Sequence, residues 1–349
     1  MRIVKFISAK AGNTFESRIK NTLHHILKED NKQAIVKLDI IINNEVEEEF
    51  NEEYECFVET MKTVFKDKMP AHSIVFQHIP GNEEFVIHYQ VYENTNIQYK
   101  KLLNHHYVTV KHDAGIELFS GAISFKEDSL LFSAQRCFDF AEQILMAEDL
   151  NFGHIYRQWN YIPQINGLSD YDRQKRANIY IFNEIKNIFF EEALLINGNP
   201  LESDINNLDR RLSIDFNALG PYPENTHTKL KDKENYTQEN TGIKSKFIYN
   251  DSHEYWFTSA SDHDHISHDI EQQTIQTLKN IFTLKEKYKV EPNIQDHCKF
   301  IKVKIKNSED CKTVEELIKG LLPNVETVIT CPALNQHHNL VEMEGLISY

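Results

Sequence analysis

No stretch of this 349-residue chain holds the ~18 consecutive apolar residues of a membrane span, and the opening Met1-Arg-Ile-Val-Lys-Phe-Ile-Ser is interrupted by lysine too soon for a secretory apolar core. A cytoplasmic protein with no membrane partner is therefore expected. Cysteine is scarce too: Cys56, Cys137, Cys298, Cys311 and Cys331 are odd in number and form no Cys-x-x-Cys pair, which argues against a disulfide framework or structural zinc and fits reduced thiols. Positive charge is also short. With 38 basic against 53 acidic residues the net charge is −15, so the chain lacks the concentrated basic patch of a nucleic-acid surface, and no nucleic acid is expected as a partner. Arginine stops altogether at Arg211, so any bidentate clamp on a carboxylate must come from the first two thirds of the chain.

What is present, in a composition of 40% hydrophobic and 26% charged residues, is repetition at the spacing of one small domain. Phe15, Ile19, Leu23, Ile26 and Leu27 recur at helical spacing; residues 34–42 read as a strand, 50–65 as a second helix, and 73–79 and 85–91 as two strands joined across Pro80-Gly81-Asn82. That order returns behind a hairpin at 107–110 and 116–123, with a helix through Ala134, Phe138, Ala141 and Leu145, a strand within 153–166, a helix burying Ile179, Phe182, Ile185, Ile188 and Phe189, and a closing strand at 212–219. It returns again with a hairpin at 246–249 and 255–261, a helix from about His268-Asp269, a strand at 300–305, a helix at 314–322 and strands at 325–330 and 339–347. Three α+β units follow: 1–97, without a leading hairpin, 98–220 and 246–349, with 221–245 as a linker or mobile loop. Each has an apolar helical face to cover a sheet, and such units pack around a common axis as a pseudo-trimer written into one chain.

The most informative stretch is Gly153 to Asn166, which sets β-formers beside an arginine, a tryptophan and an asparagine. Alternation places Ile155, Arg157, Trp159 and Tyr161 on one side and Tyr156, Gln158, Asn160 and Ile162 on the other, before Pro163 ends the strand. A buried cation beside an indole suits a planar or anionic ligand. The same pattern also suits a tryptophan that packs the core while the arginine reaches solvent or a carboxylate.

The ending Asn339-Leu-Val-Glu-Met-Glu-Gly-Leu-Ile347 resembles the closing strand of the RidA (YjgF) family, and Ile270 to Ile281 resembles that family's first helix. The motif Arg157-x-Trp159-Asn160-Tyr161-Ile162-Pro163-x-Ile165-Asn166 is similar to chorismatases, RidA-like enzymes that release pyruvate from chorismate. The resemblance implies an α+β, chorismate-mutase-like pseudo-trimer with a ligand cleft between units. The family's acid/base glutamate corresponds to Glu342, with His88 and Asp215 at the matching points of the other units. Glu342 would then protonate the substrate's enol ether or activate water. Arg157 would hold a substrate carboxylate, with Asn160 and Arg211 or Arg210 as further substrate-binding residues, and Trp159 and Tyr161 would line the ring's pocket. Glu344, two residues on and on the same face, would help raise the pKa of a general acid; the plainer alternative is a solvated edge of charges. Cys331 is a candidate for the cysteine with which some chorismatases direct ring chemistry, although eleven residues separate it from Glu342 and a buried, inert thiol fits as well.

The arginine with which RidA enzymes that hydrolyse imines bind a carboxylate is replaced by Thr327, and the third unit's hairpin carries no arginine. Asp262 to Asp269 could hold a metal but falls in a turn before a helix, where Asp and His commonly cap, so no metal is expected. His24-His25, His105-His106 and His337-His338 read as surface histidines, and the acidic run 45–55 as the solvated start of a helix. The resulting expectation is a cofactor-free enzyme, monomeric or weakly dimeric. It would split chorismate into pyruvate and a hydroxybenzoate or cyclohexadiene carboxylate. The alternatives are a RidA-like binder of a small aromatic acid, or of a partner protein, that has lost catalysis, and an imine or enamine deaminase.

Overall fold

The central strand of each unit has one face of aliphatic side chains and another that mixes charge with aromatics. In the computed structural model the aliphatic faces are covered by helices and the mixed faces meet one another. The structure describes all residues except 1, 31–32, 45, 47–48, 94–95, 126, 128, 169–175, 192, 210, 223–235, 238–241, 250–251, 261–268, 289–296, 333, 335–338 and 349, and the side chains of 236–237 and 285–288. Arg210, most of the 262–269 cluster and His337-His338 thus lie outside the described residues.

The first unit comprises β1 (Arg2–Ser8), α1 (Phe15–Glu29), β2 (Ala34–Ile42), α2 (Phe50–Phe65), β3 (Ala71–Phe76) and β4 (Phe85–Tyr92), in the sheet order β1-β4-β2-β3. Thr14 starts α1 with a capping box closed by Ser17. The second has β5 (Ile97–Leu102), β6 (His105–His112), β7 (Gly115–Phe119), β8 (Ile123–Ser124), α3 (Leu130–Met146), β9 (Ile155–Pro163), α4 (Asn178–Glu191), β10 (Leu201–Asn207) and β11 (Ser213–Gly220), ordered β10-β9-β11-β7-β6-β5 with β8 on β11. The third has β12 (Tyr236–Thr237), β13 (Ile243–Tyr249), β14 (His253–Ala260), α5 (Ile270–Tyr288), β15 (Cys298–Ile305), α6 (Cys311–Leu321), β16 (Glu326–Thr330) and β17 (Val341–Ser348), ordered β12-β13-β14-β17-β15-β16. No helix among the described residues is long and apolar enough to cross a membrane.

Each unit has its own core between sheet and helices, such as Ile19, Leu23, Phe57 and Met61 over Leu38, Ile40 and Ile87 in the first. A further cluster is shared: Val4, Ile41, Tyr156, Trp159, Trp256, Phe300 and Leu346 meet along the pseudo-threefold axis. β1, β5 and β10 were not anticipated. β10 holds only Leu201 and Ile205 as large apolar residues, too few for a strand period to show. The second half of the expected linker instead includes β12 and the start of β13. Ile188 is not inward but 57% exposed.

A register shift at Asn217/Ala218 moves one residue of β9 out of alternation. Tyr156 therefore joins Trp159 and Tyr161 on the axial face, while Ile155 turns to the helix-covered core with Ile162. In β17 there is no room for a side chain after Glu344: a Cβ on Gly345 would stand 2.4 Å from the Phe300 carbonyl and 2.7 Å from the Phe257 ring. Gly345→Ala is expected to lower stability by about 1–3 kcal/mol through overpacking, measurable by urea unfolding.

Candidate active site

Strand register aligns the three units. Across the central and closing strands Asp39 faces His88, Trp159 faces Asp215 and Lys302 faces Glu344. Glu344, rather than the expected Glu342, is therefore the counterpart of His88 and Asp215. Beside Asp39, Trp159 and Lys302 on the parallel neighbours stand Ser73, Ser203 and Val328, and one axial position earlier on the central strands stand Lys37, Arg157 and Phe300.

These positions meet across the seams between units. At the first seam Lys37 Nζ donates to Asp215 Oδ1 (2.8 Å) and Asn217 Oδ1 (3.2 Å), and Ser73 Oγ donates to Asp215 Oδ2. At the second, Arg157 Nη2 donates to Glu344 Oε2 (2.8 Å) and to Ser203 Oγ (2.6 Å), and Ser203 in turn donates to the same carboxylate oxygen. Trp159 Nε1 donates to Glu344 Oε1 (3.1 Å), and Lys304 Nζ lies 3.3 Å from Oε2. At the third, Phe300 packs against His88 with ring centroids 4.7 Å apart and the rings tilted by 48°, and Lys302 Nζ donates to Asp39 Oδ2 (2.7 Å).

The electrostatics follow from this pairing. Burial alone would raise the Glu344 pKa, but Lys304, Arg157 and Lys302 outweigh it and hold the carboxyl well below the usual range. Glu344 is thus an ionised anchor with no proton to give, not itself a catalytic acid. Asp39 is held low in the same way, with Lys302 and Lys37 overcoming burial. Burial, helped by Lys302, pushes His88 down to about 4, so its imidazole is neutral and Nδ1 donates to Asp39 Oδ2 at 2.7 Å.

Glu342 lies further along the axial face of β17, half-buried, in register with Lys304 and accepting from Asn339 Nδ2 at 3.1 Å. Lys304 also lines a cavity of ≈ 20 Å³ with Lys302, Asp39, Gln77, Tyr161 and Glu344, enough for about one water. Trp159 is clamped between Lys37 Nζ (4.1 Å) and the Arg157 guanidinium (4.4 Å). The remaining candidates are not brought here. Asn160 lies on the opposite face, accepting from Gln158 and donating to Asp204. Arg211 pairs with Asp209 and stacks on Tyr54 at 3.9 Å. Cys331 packs against the helix-covered core of the third unit, where burial pushes its thiol up to about 12, and its backbone N–H pairs with His78.

Asp269 Oδ1 caps α5 by accepting from the backbone of Glu271 and Gln272, and among the described residues no group of His, Cys, Asp or Glu is arranged to hold a metal ion. His105 and His106 are not free surface residues: both lie half-buried in β6, His105 against the Ser120 carbonyl. Sequence reasoning missed Lys37, Asp39, Ser73, Ser203, Lys302 and Lys304. The signal for four of them was charge at alternate positions inside the apolar strands Ala34–Ile42 and Cys298–Ile305. At a different level of the axis, Arg2, Glu117 and Glu254 bring one charge from each unit into contact, with Tyr92 donating to Glu117 at 2.6 Å.

The whole chain superposes on a crystal structure of chorismatase with a TM-score of 0.64 at 12% identity, covering 99% of this chain and 98% of that one. RidA from the Antarctic bacterium Psychrobacter matches 29% of the chain over 89% of its own length, at 14% identity and a TM-score of 0.25. A yjgF-family protein from Streptococcus pyogenes matches 37% over its full length, at 11% identity and 0.26. No protein-family model and no curated protein sequence matches the chain.

Proposed function

We propose that the chain cleaves the enol ether of chorismate or a close cyclohexadiene relative, releasing pyruvate, at the cleft where Glu342 and Lys304 stand together. The observation that carries this reading is the fold, shared end to end with a chorismatase, combined with a half-buried glutamate in register with a lysine at the axial cavity. The chemistry asks for a proton on the methylene carbon, then water on the resulting oxocarbenium carbon, after which the hemiketal collapses to pyruvate and a ring alcohol. It needs an acid and no redox partner. Glu344 is ionised and saturated by four donors, so the acid is Glu342. Arg157 is likewise committed to Glu344, Ser203 and the Leu201 carbonyl, and Lys302 to Asp39, so Lys304, the most loosely held of the Glu344 donors at 3.3 Å, is the cation for a substrate carboxylate, with Tyr161 beside it. Every seam lies within one chain, so a single copy suffices.

One observation favours a second reading, a binder without catalysis. A cavity of ≈ 20 Å³ admits no ring until the units part. The test is pyruvate release from chorismate by purified protein, followed through lactate dehydrogenase, with Glu342→Gln alongside. Release that Glu342→Gln reduces to the spontaneous rate is the expected result. No release from the parent protein overturns it and turns the search to thermal-shift screening of small aromatic acids.

A further inference from the structure

Pseudo-threefold symmetry lets one position be compared at three seams. At the first two, the groups replacing one another are paired: Lys37 with Asp215 and Asn217, and Arg157 and Ser203 with Glu344. Asn217 also donates to Tyr156 Oη. At the third seam Phe300 and Val328 replace the cation and the serine, and β4 presents His88 and Gln90. Here His88 Nε2, both amide atoms of Gln90 and Trp256 Nε1 find no hydrogen-bond partner among the described residues, although His88 is 1% exposed, Gln90 0% and Trp256 1%. Buried polar groups are almost always paired, so three at one seam need an explanation.

Their chemistry is specific. His88 Nδ1 donates to Asp39, which leaves Nε2 as an acceptor; Trp256 offers a donor, and Gln90 offers both. Rings surround them: Phe6 lies 4.8 Å and Phe300 4.7 Å from His88, and Trp256 lies 5.9 Å from Phe300. Phe6 is also a wall of a surface groove of ≈ 490 Å³ along the edge of β1, facing Glu326 of the third unit. Lys5 and Lys10 in that groove are balanced by Glu29 and Glu326, and Lys302 is committed to Asp39, so nothing at the seam selects a net charge.

We infer that the seam between the third and first units is a second ligand site, for a small uncharged flat ring bearing hydroxyl groups, entered from the groove past Phe6. The ring packs against Phe6 and Phe300, whose own rings meet edge-on at 6.0 Å; one hydroxyl donates to His88 Nε2, and others exchange hydrogen bonds with Gln90 and Trp256. This site does not depend on the reading given to Glu342.

Calorimetry and thermal shift with resorcinol, and with anisole as a ring lacking O–H, test it. Resorcinol is expected to bind saturably at one site per chain and to raise Tm, with anisole about ten-fold weaker. Gln90→Leu should weaken resorcinol by about ten-fold while leaving the ligand-free Tm at or above that of the parent, because an unpaired buried amide has been removed. Glu342→Gln should bind resorcinol as the parent does. Absence of saturable binding, undiminished binding by Gln90→Leu, or a lower ligand-free Tm in that variant overturns the inference. Should Gln90→Leu not fold, Trp256→Phe decides: it keeps the ring and removes the donor, and undiminished resorcinol binding overturns the site.

Discussion

Glu344→Ala is expected to lower the free energy of unfolding by about 3–5 kcal/mol, because it strands a buried cation. Arg157 is 1% exposed, and without the carboxylate its charge keeps only Ser203 and backbone carbonyls. Trp159 Nε1 loses its acceptor as well. Arg157→Ala should cost a similar amount by leaving Glu344, among the described residues, with Lys304 as its one cation in direct contact beside the neutral donors Trp159 and Ser203. Replacing both together, as Arg157→Ala with Glu344→Ala, should cost far less than the two single losses summed, since desolvation of the pair is removed along with its attraction. Urea unfolding of the four proteins in this cycle supplies the measurement. Single losses below about 1 kcal/mol would mean that the pair behaves like a solvated surface bridge.

Acid is expected to act in two stages, beginning above the carboxylate range. His88 and His105 are each pushed down to about 4, His88 by burial and Lys302, His105 by burial with His72 nearby. Between their ordinary value of ~6.5 and about 4, the unfolded chain binds protons at these positions that the folded chain does not. Stability therefore falls as pH falls through that window, by on the order of 3 kcal/mol per histidine. Asp39, Glu117 and Glu344 act lower down: their folded pKa values are depressed, so their contribution is present above the ordinary carboxylate range and is lost as pH falls beneath it. Unfolding free energies measured from pH 7 downward check this, with His105→Gln expected to flatten the upper part of the slope. An unchanged slope in that variant would show that His105 takes up its proton in the folded state.

The two strands that build the site were legible to different degrees. Gly153 to Asn166 announced itself because Arg and Trp inside a β-forming run need an explanation on their own. Its partner β10, Leu-Glu-Ser-Asp-Ile-Asn-Asn, carries no such signal, yet Ser203 and Asp204 receive Arg157 and Asn160. A strand that pairs on both faces with polar neighbours has no apolar period to read. Glu344 shows a different limit. Two glutamates two residues apart on one strand share a face whatever their surroundings, but that Glu344 is held ionised depends on cations from other elements: Lys304 and Lys302 from β15 and Arg157 from the second unit.

Local patterns alone determined the α+β class and the three-unit repeat, because helix and strand periods and the covering of a sheet by helices are properties of short segments. The tertiary structure decided how the units meet. Only packing could show that Lys37 and Arg157 are matched by carboxylates of the next unit while Phe300 is not, that Asn160 and Cys331 turn away from the axis, and that Glu342 is the less committed of the two glutamates. Charge pairing across a seam is a contact between residues more than a hundred positions apart, and no local period encodes it.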